Sequence, residues 1–201
     1  MAAYVASMIV AQAFRYLQLA PPSSFEDDSD KARDAEQMFP VALRTVLEGV
    51  DWSFASRFAT LPELAALPGQ VIADPEYPYS YKLPGDCITI RRVGNGCAWR
   101  TDEDGLLRAR EPGPLPIRYT KLISNIDDKP ASFRVAIAAR LATYLAPIYL
   151  EASTSVQALE QQALNLQAIA QHADARSASE QRYDGRDADR TGGYWADEVT
   201  R

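Results

Sequence analysis

Tyr77-Pro78-Tyr79-Ser80-Tyr81-Lys82-Leu83-Pro84-Gly85-Asp86-Cys87-Ile88-Thr89-Ile90-Arg91-Arg92-Val93 is the stretch where the apolar period of the chain changes. Tyr77, Tyr79 and Tyr81 alternate with Pro78 and Ser80, a period of two that suits an extended strand. Cys87 to Val93 opens with Cys87-Ile88-Thr89-Ile90, rich in β-branched residues, and reads as a strand. Further along, Gly94-Asn95-Gly96 is a turn signal. Ala98 to Thr101 and Leu106 to Ala109 flank Asp102-Glu103-Asp104-Gly105, which reads as a hairpin. Ile117 to Ile123 reads as one more strand. In the other direction, Trp52 to Leu61 suits either a short helix or a strand. Residues 52–125 are therefore expected to form a small antiparallel β insertion.

Helical spacing brackets this region. Over 2–19, Tyr4, Met8 and Ala11 lie along one side with Val5, Ile9, Ala13 and Tyr16 beside them, and Pro21-Pro22 is expected to stop the helix. Asp28, Ser29 and Asp30 supply capping oxygens for a second helix over 30–48, with Ala32, Ala35, Phe39, Leu43, Val46 and Leu47 as its apolar face. Pro40 is expected to kink or break it, and Gly49 to end it. A third helix over 130–150 opens at Pro130 and carries Phe133, Ile137, Leu141, Tyr144, Leu145 and Ile148, with Pro147 bending its end. A fourth, over 153–173, has a narrow seam of Val156, Leu159, Ala163, Leu166 and Ala170. Residues 174–201 mix Asp, Arg, Gly and Ser and are expected to form an extended tail. The division expected is a domain over 1–173 and a tail over 174–201.

The 201 residues are 47% apolar and 24% charged, with a net charge of −6. That balance suits a globular core and lacks the basic footprint of a protein that grips phosphates. Residues 2–19 have no basic residue ahead of their apolar stretch, so they read as a buried helix of a cytoplasmic protein, not as a leader or a membrane span. Cys87 and Cys97 are too few for a disulfide framework or a zinc site and read as reduced and buried. The single histidine, His172, reads as a surface residue, which leaves a serine or cysteine nucleophile without a base. Gly94-Asn95-Gly96 lacks the lysine of a phosphate loop. Glu26-Asp27-Asp28 and Asp102-Glu103-Asp104 read as solvated tips; a calcium loop is conceivable at the second, which lacks the spaced ligands and closing glutamate of an EF-hand. Arg91 and Arg92 read as strand charge facing solvent and an ion pair, with contact to DNA left open. Glu63 and Asp74 are the pair a glycoside hydrolase reading would invoke, and nothing marks them out. The expectation is a non-enzymatic protein with no cofactor and no metal.

The order of these pieces resembles the tail tubular protein A and head-to-tail adaptor proteins of tailed bacteriophages, including gene-transfer-agent adaptors. The resemblance runs over residues 2–175. It rests on Phe25-Glu26-Asp27-Asp28-Ser29-Asp30-Lys31-Ala32, then Trp52-Ser53-Phe54-Ala55 with Leu61, then Tyr77 to Cys87. Ile117-Arg118-Tyr119-Thr120, Pro130 with Phe133, and the alanine-rich Ala136 to Ala146 complete it. Trp52, Phe54, Tyr79, Tyr81, Pro84 and Phe133 are its signature residues.

The resemblance implies a mainly α fold, a four-helix bundle with a small β insertion and an extended C-terminal tail. It implies a structural protein of the virion neck, assembled in the host cytoplasm as a ring of about twelve subunits. Such a ring sits beneath the portal protein, extends the DNA channel without sequence-specific binding, and offers a platform for tail or nozzle proteins. The tail would dock on the portal or a neighbouring subunit, with Tyr183, Tyr194 and Trp195 as anchors. The other readings are a head-completion or tail-terminator protein, or a non-viral helical binding module.

Overall fold

The computed structural model describes residues 2–23, 27–64, 75–102, 104–150 and 153–177. Helices α1 (Ala2–Tyr16) and α2 (Asp30–Gly49) come first. Six strands follow: β1 (Ser56–Leu61), β2 (Tyr79–Lys82), β3 (Cys87–Val93), β4 (Trp99–Thr101), β5 (Leu106–Ala109) and β6 (Leu115–Lys121). Helices α3 (Ala131–Tyr149) and α4 (Ser153–Ser177) close the described chain.

Local chemistry explains the helix ends. Ser29 Oγ accepts from the Ala32 N–H at 3.3 Å and caps α2. The helix then runs unbroken through Pro40, whose ring lies on its exposed side. α1 stops ahead of Pro21-Pro22. Gln18 adopts a left-handed backbone, with φ of 60°. The Leu19 N–H donates to the Phe14 carbonyl at 2.9 Å, and the Gln18 N–H to the Arg15 carbonyl at 3.0 Å. These bonds satisfy carbonyls that the end of a helix leaves open, which is usually a glycine's task.

α3 is the central helix and packs against α1, α2 and α4. Its alanines and large apolar residues are buried around much of its circumference, as a helix enclosed by others requires. One helical cluster holds Leu47, Trp52, Phe133 and Ile137, and a second holds Val10, Phe14, Leu141 and Leu145.

The expected mainly α four-helix bundle is not the fold. Beside the helices stand two three-stranded antiparallel sheets, in the orders β1-β6-β3 and β2-β5-β4, giving a mixed α and β architecture. Leu61, Val93, Leu115, Ile117 and Tyr119 of the first sheet meet Tyr81, Leu107 and Ala109 of the second in a core of their own. Each strand is only three to seven residues long, so each is a weak signal in the sequence. Pairing between distant segments makes them a module: β1 pairs β6 from Ser56↔Thr120 to Leu61↔Leu115. The ambiguity at 52–61 also resolves, as a 3-10 turn at Ser53–Ala55 followed directly by β1.

Candidate assembly surfaces and the junction that positions them

The helical part and the β part meet where α2 runs into β1. Trp52 sits there fully buried, its Nε1–H donating to the Val46 carbonyl at 2.8 Å. Its ring lies 5.0 Å from that of Phe133 and 5.6 Å from that of Phe54, and Phe54 lies 4.9 Å from Phe133. Three signature residues thus form one aromatic cluster in the geometry aromatic rings prefer. The other three belong to the β part. Tyr81 is buried in its core and donates from its hydroxyl to the Glu111 carbonyl at 2.6 Å. Burial, then the charge of Glu63, pushes its pKa up to about 12. Tyr79 packs at the edge of that core, and the Pro84 carbonyl accepts from the Cys87 N–H in the turn before β3.

Arg91 is not a solvent-facing strand charge. The register of β3 against β6 shifts between Ile90 and Arg92, and the irregularity re-aims the side chain between them. The Arg91 guanidinium donates to the carbonyls of Leu47 (3.0 Å), Glu48 (2.9 Å) and Val50 (2.7 Å), and to Thr120 Oγ1 (2.8 Å). It therefore caps the C-terminus of α2, where Gly49 was expected to act; Gly49 is instead the last helical residue. Burial lowers the Arg91 pKa, Asp51 opposes this, and Arg118 adds to it. A cation at a helix C-terminus also meets the negative end of the helix dipole.

Two more contacts brace the junction. Arg118 of β6 pairs with Asp51 at 2.9 Å. Asp174 of α4, 4% exposed, accepts from the Ser53 N–H at 2.8 Å and from Ser53 Oγ at 2.6 Å. Asp174 belongs to α4, which runs to Ser177, although the sequence pattern places the start of the tail there. No local signal announces either role. Arg91 and Asp174 act on groups 41 to 44 and 121 residues away.

The outer surface carries large exposed apolar side chains on every helix: Met8, Val41, Ile148, Leu164 and Ile169, between 48% and 61% exposed. Phe58 of β1 is the most exposed of all, at 68%. At the end of the helical part away from the sheets, a cleft of about 310 Å³ is lined by residues including Tyr16, Leu17, Leu150 and Leu159.

The remaining candidates are dispersed. His172 is exposed on α4. Cys87 and Cys97 are free and half-buried, and burial raises both thiols. Glu63 accepts from the Gly113 N–H, while Asp74 lies outside the described residues. Asp102 is not a solvated tip: it accepts from the Leu106 N–H and from Arg108 Nε, both at 2.9 Å. Tyr183, Tyr194 and Trp195 lie outside the described residues. Among the described residues no group of three or more His, Cys, Asp or Glu is placed to hold a metal ion. None of the described helices is long and apolar enough to cross a membrane. No protein-family model and no curated protein matches the chain.

Proposed function

We propose that this chain is a structural virion protein, one subunit of the head-to-tail adaptor ring that joins a phage portal to its tail. The observation that carries the reading is the spread of exposed apolar side chains over all four helices. A ring subunit has two different neighbours and needs two different patches, because head-to-tail contacts are heterologous. Apolar surface on several sides suits that need better than one patch on one face.

The junction supports the same reading. A connector transmits load between two machines, so its parts must keep a defined orientation. Arg91, Arg118, Asp174 and the Trp52 cluster tie the helices to the sheets through charge-assisted bonds and buried rings. The resemblance over residues 2–175 gives the reading its direction. The β part departs from it, being a two-sheet module with its own core. In the proposed ring it offers a second surface beside the helices for portal or tail proteins. A net charge of −6 per subunit suits a channel that DNA passes through without being held.

The test is to co-express the full chain with the portal protein of the same virion and image the purified complexes. Rings bound coaxially to the portal are expected. A chain that stays monomeric and unbound beside intact portal rings would overturn the proposal.

A further inference from the structure

β1 forms one edge of its sheet. Among the described residues Ser56–Leu61 pair with β6 on one side and with no strand on the other. Such an edge presents a row of open N–H and C=O groups, which proteins usually cover, charge or interrupt. β1 has no proline or lysine, and it carries Phe58. On the same face, Phe58 stands opposite Arg118, which stands opposite Arg92. Arg118 is answered by Asp51, whereas Arg92 and the exposed Arg57 have no ion pair among the described residues. Arg92 lies on β3, at the other edge of the sheet, so the unanswered cation of the β1 edge is Arg57, on the face opposite Phe58.

The chain leaves the described structure close to this edge. Asp174 is bonded to Ser53, three residues before β1 begins. α4 ends at Ser177, three residues after Asp174, a rise of about 5 Å. The following 24 residues, 178–201, hold six acidic and four basic side chains. At full extension they span roughly 80 Å, several times the roughly 20 Å of a six-residue strand. Tyr194-Trp195-Ala196-Asp197-Glu198-Val199-Thr200 contains no glycine or proline, joins aromatic and β-branched residues, and carries two carboxylates and no cation.

We propose that residues 194–200 add to the free edge of β1 in the same chain, as a fourth strand of that sheet. With the added strand antiparallel to β1, Trp195 lies against Phe58, and Glu198, on the opposite face, answers the charge of Arg57. Main-chain bonds supply the attachment, while the aromatic and charged side chains select the segment. The inference does not depend on the ring reading, because it concerns the isolated chain.

The test is amide hydrogen exchange on the full chain and on a chain ending at Ser177, both without portal. The β1 amides that point away from β6 are expected to exchange at least about tenfold faster in the shortened chain, with α3 unchanged. Equal protection in the two chains overturns the proposal. If shortening also loosens α3, the full-length Trp195→Asp variant decides: it must lower β1 protection alone. Protection must also survive about hundredfold dilution. Loss on dilution assigns the segment to a second copy and overturns the same-chain pairing.

Discussion

Residues 1–55 and 122–177, which build the helical part, hold eight basic and thirteen acidic side chains, whereas residues 56–121 of the β part hold nine and eight. The cores differ as well. The helical core is largely alanine and leucine around one enclosed helix, α3, and small side chains let the helices approach closely. A Cβ on Gly49 would meet Gln167 of α4 at 2.6 Å. The β core is built from residues of five short strands, such as Tyr81, Leu107 and Ile117, while β4 stays exposed. Each part has its own apolar interior, and the main direct contact between helix and strand is α2 against β3. The difference teaches that the parts are coupled at the junction, by a few polar and aromatic groups and by Ile88 of β3 packed against the helical core.

The strongest way to break that comparison is Arg91→Met. It keeps the apolar stem and removes every bond from the guanidinium, leaving the half-buried carbonyls of Leu47 and Val50 and the exposed one of Glu48 without their donor. A loss of about 2–4 kcal/mol is expected. Urea unfolding followed by helical circular dichroism and by tyrosine absorbance should then show two separated transitions. Coincident transitions at the wild-type midpoint would show that the clamp does not couple the parts.

Tyr81→Phe sharpens the comparison through pH. The folded pKa of Tyr81 is raised from 10.0 to about 12, so the folded state holds this proton more tightly than the unfolded chain does. Its contribution is fully present below pH 10 and is lost as pH rises toward 12. The variant loses one hydrogen bond, about 1 kcal/mol at neutral pH, and its stability should fall less between pH 10 and 12. An alkaline limb as steep as that of the wild type would refute this. Tyr119 and Tyr149 are also raised, chiefly by burial, so the limb should shrink without vanishing.

The smallest effect belongs to the helical part. Gln18→Gly relieves a left-handed backbone and leaves the two capping bonds in place. A gain of about 1 kcal/mol or less is expected, read as a higher thermal midpoint. A lower midpoint would mean that the Gln18 side chain, which lines the nearby cleft, contributes more than its backbone strain costs.

Legibility in the sequence followed the range of the interaction. The helices were readable because their apolar spacing, Ser29 cap and flanking breakers lie within a few residues of one another. Trp52, Phe54 and Phe133 could be singled out, but not that they share one cluster, since 79 residues separate Phe133 from Phe54. The strands were readable one at a time and underestimated together.

Sequence by itself determined where the chain is helical, where its period shortens to two, and that its charge is acidic overall. Tertiary structure alone decided that the short strands make two facing sheets, that Arg91 caps a helix, and that Asp174 holds Ser53. The physical reason is that propensity and amphipathic period act over one or two turns of chain. A buried hydrogen bond or a strand pair depends on where segments dozens of residues apart come to lie, and only packing fixes that.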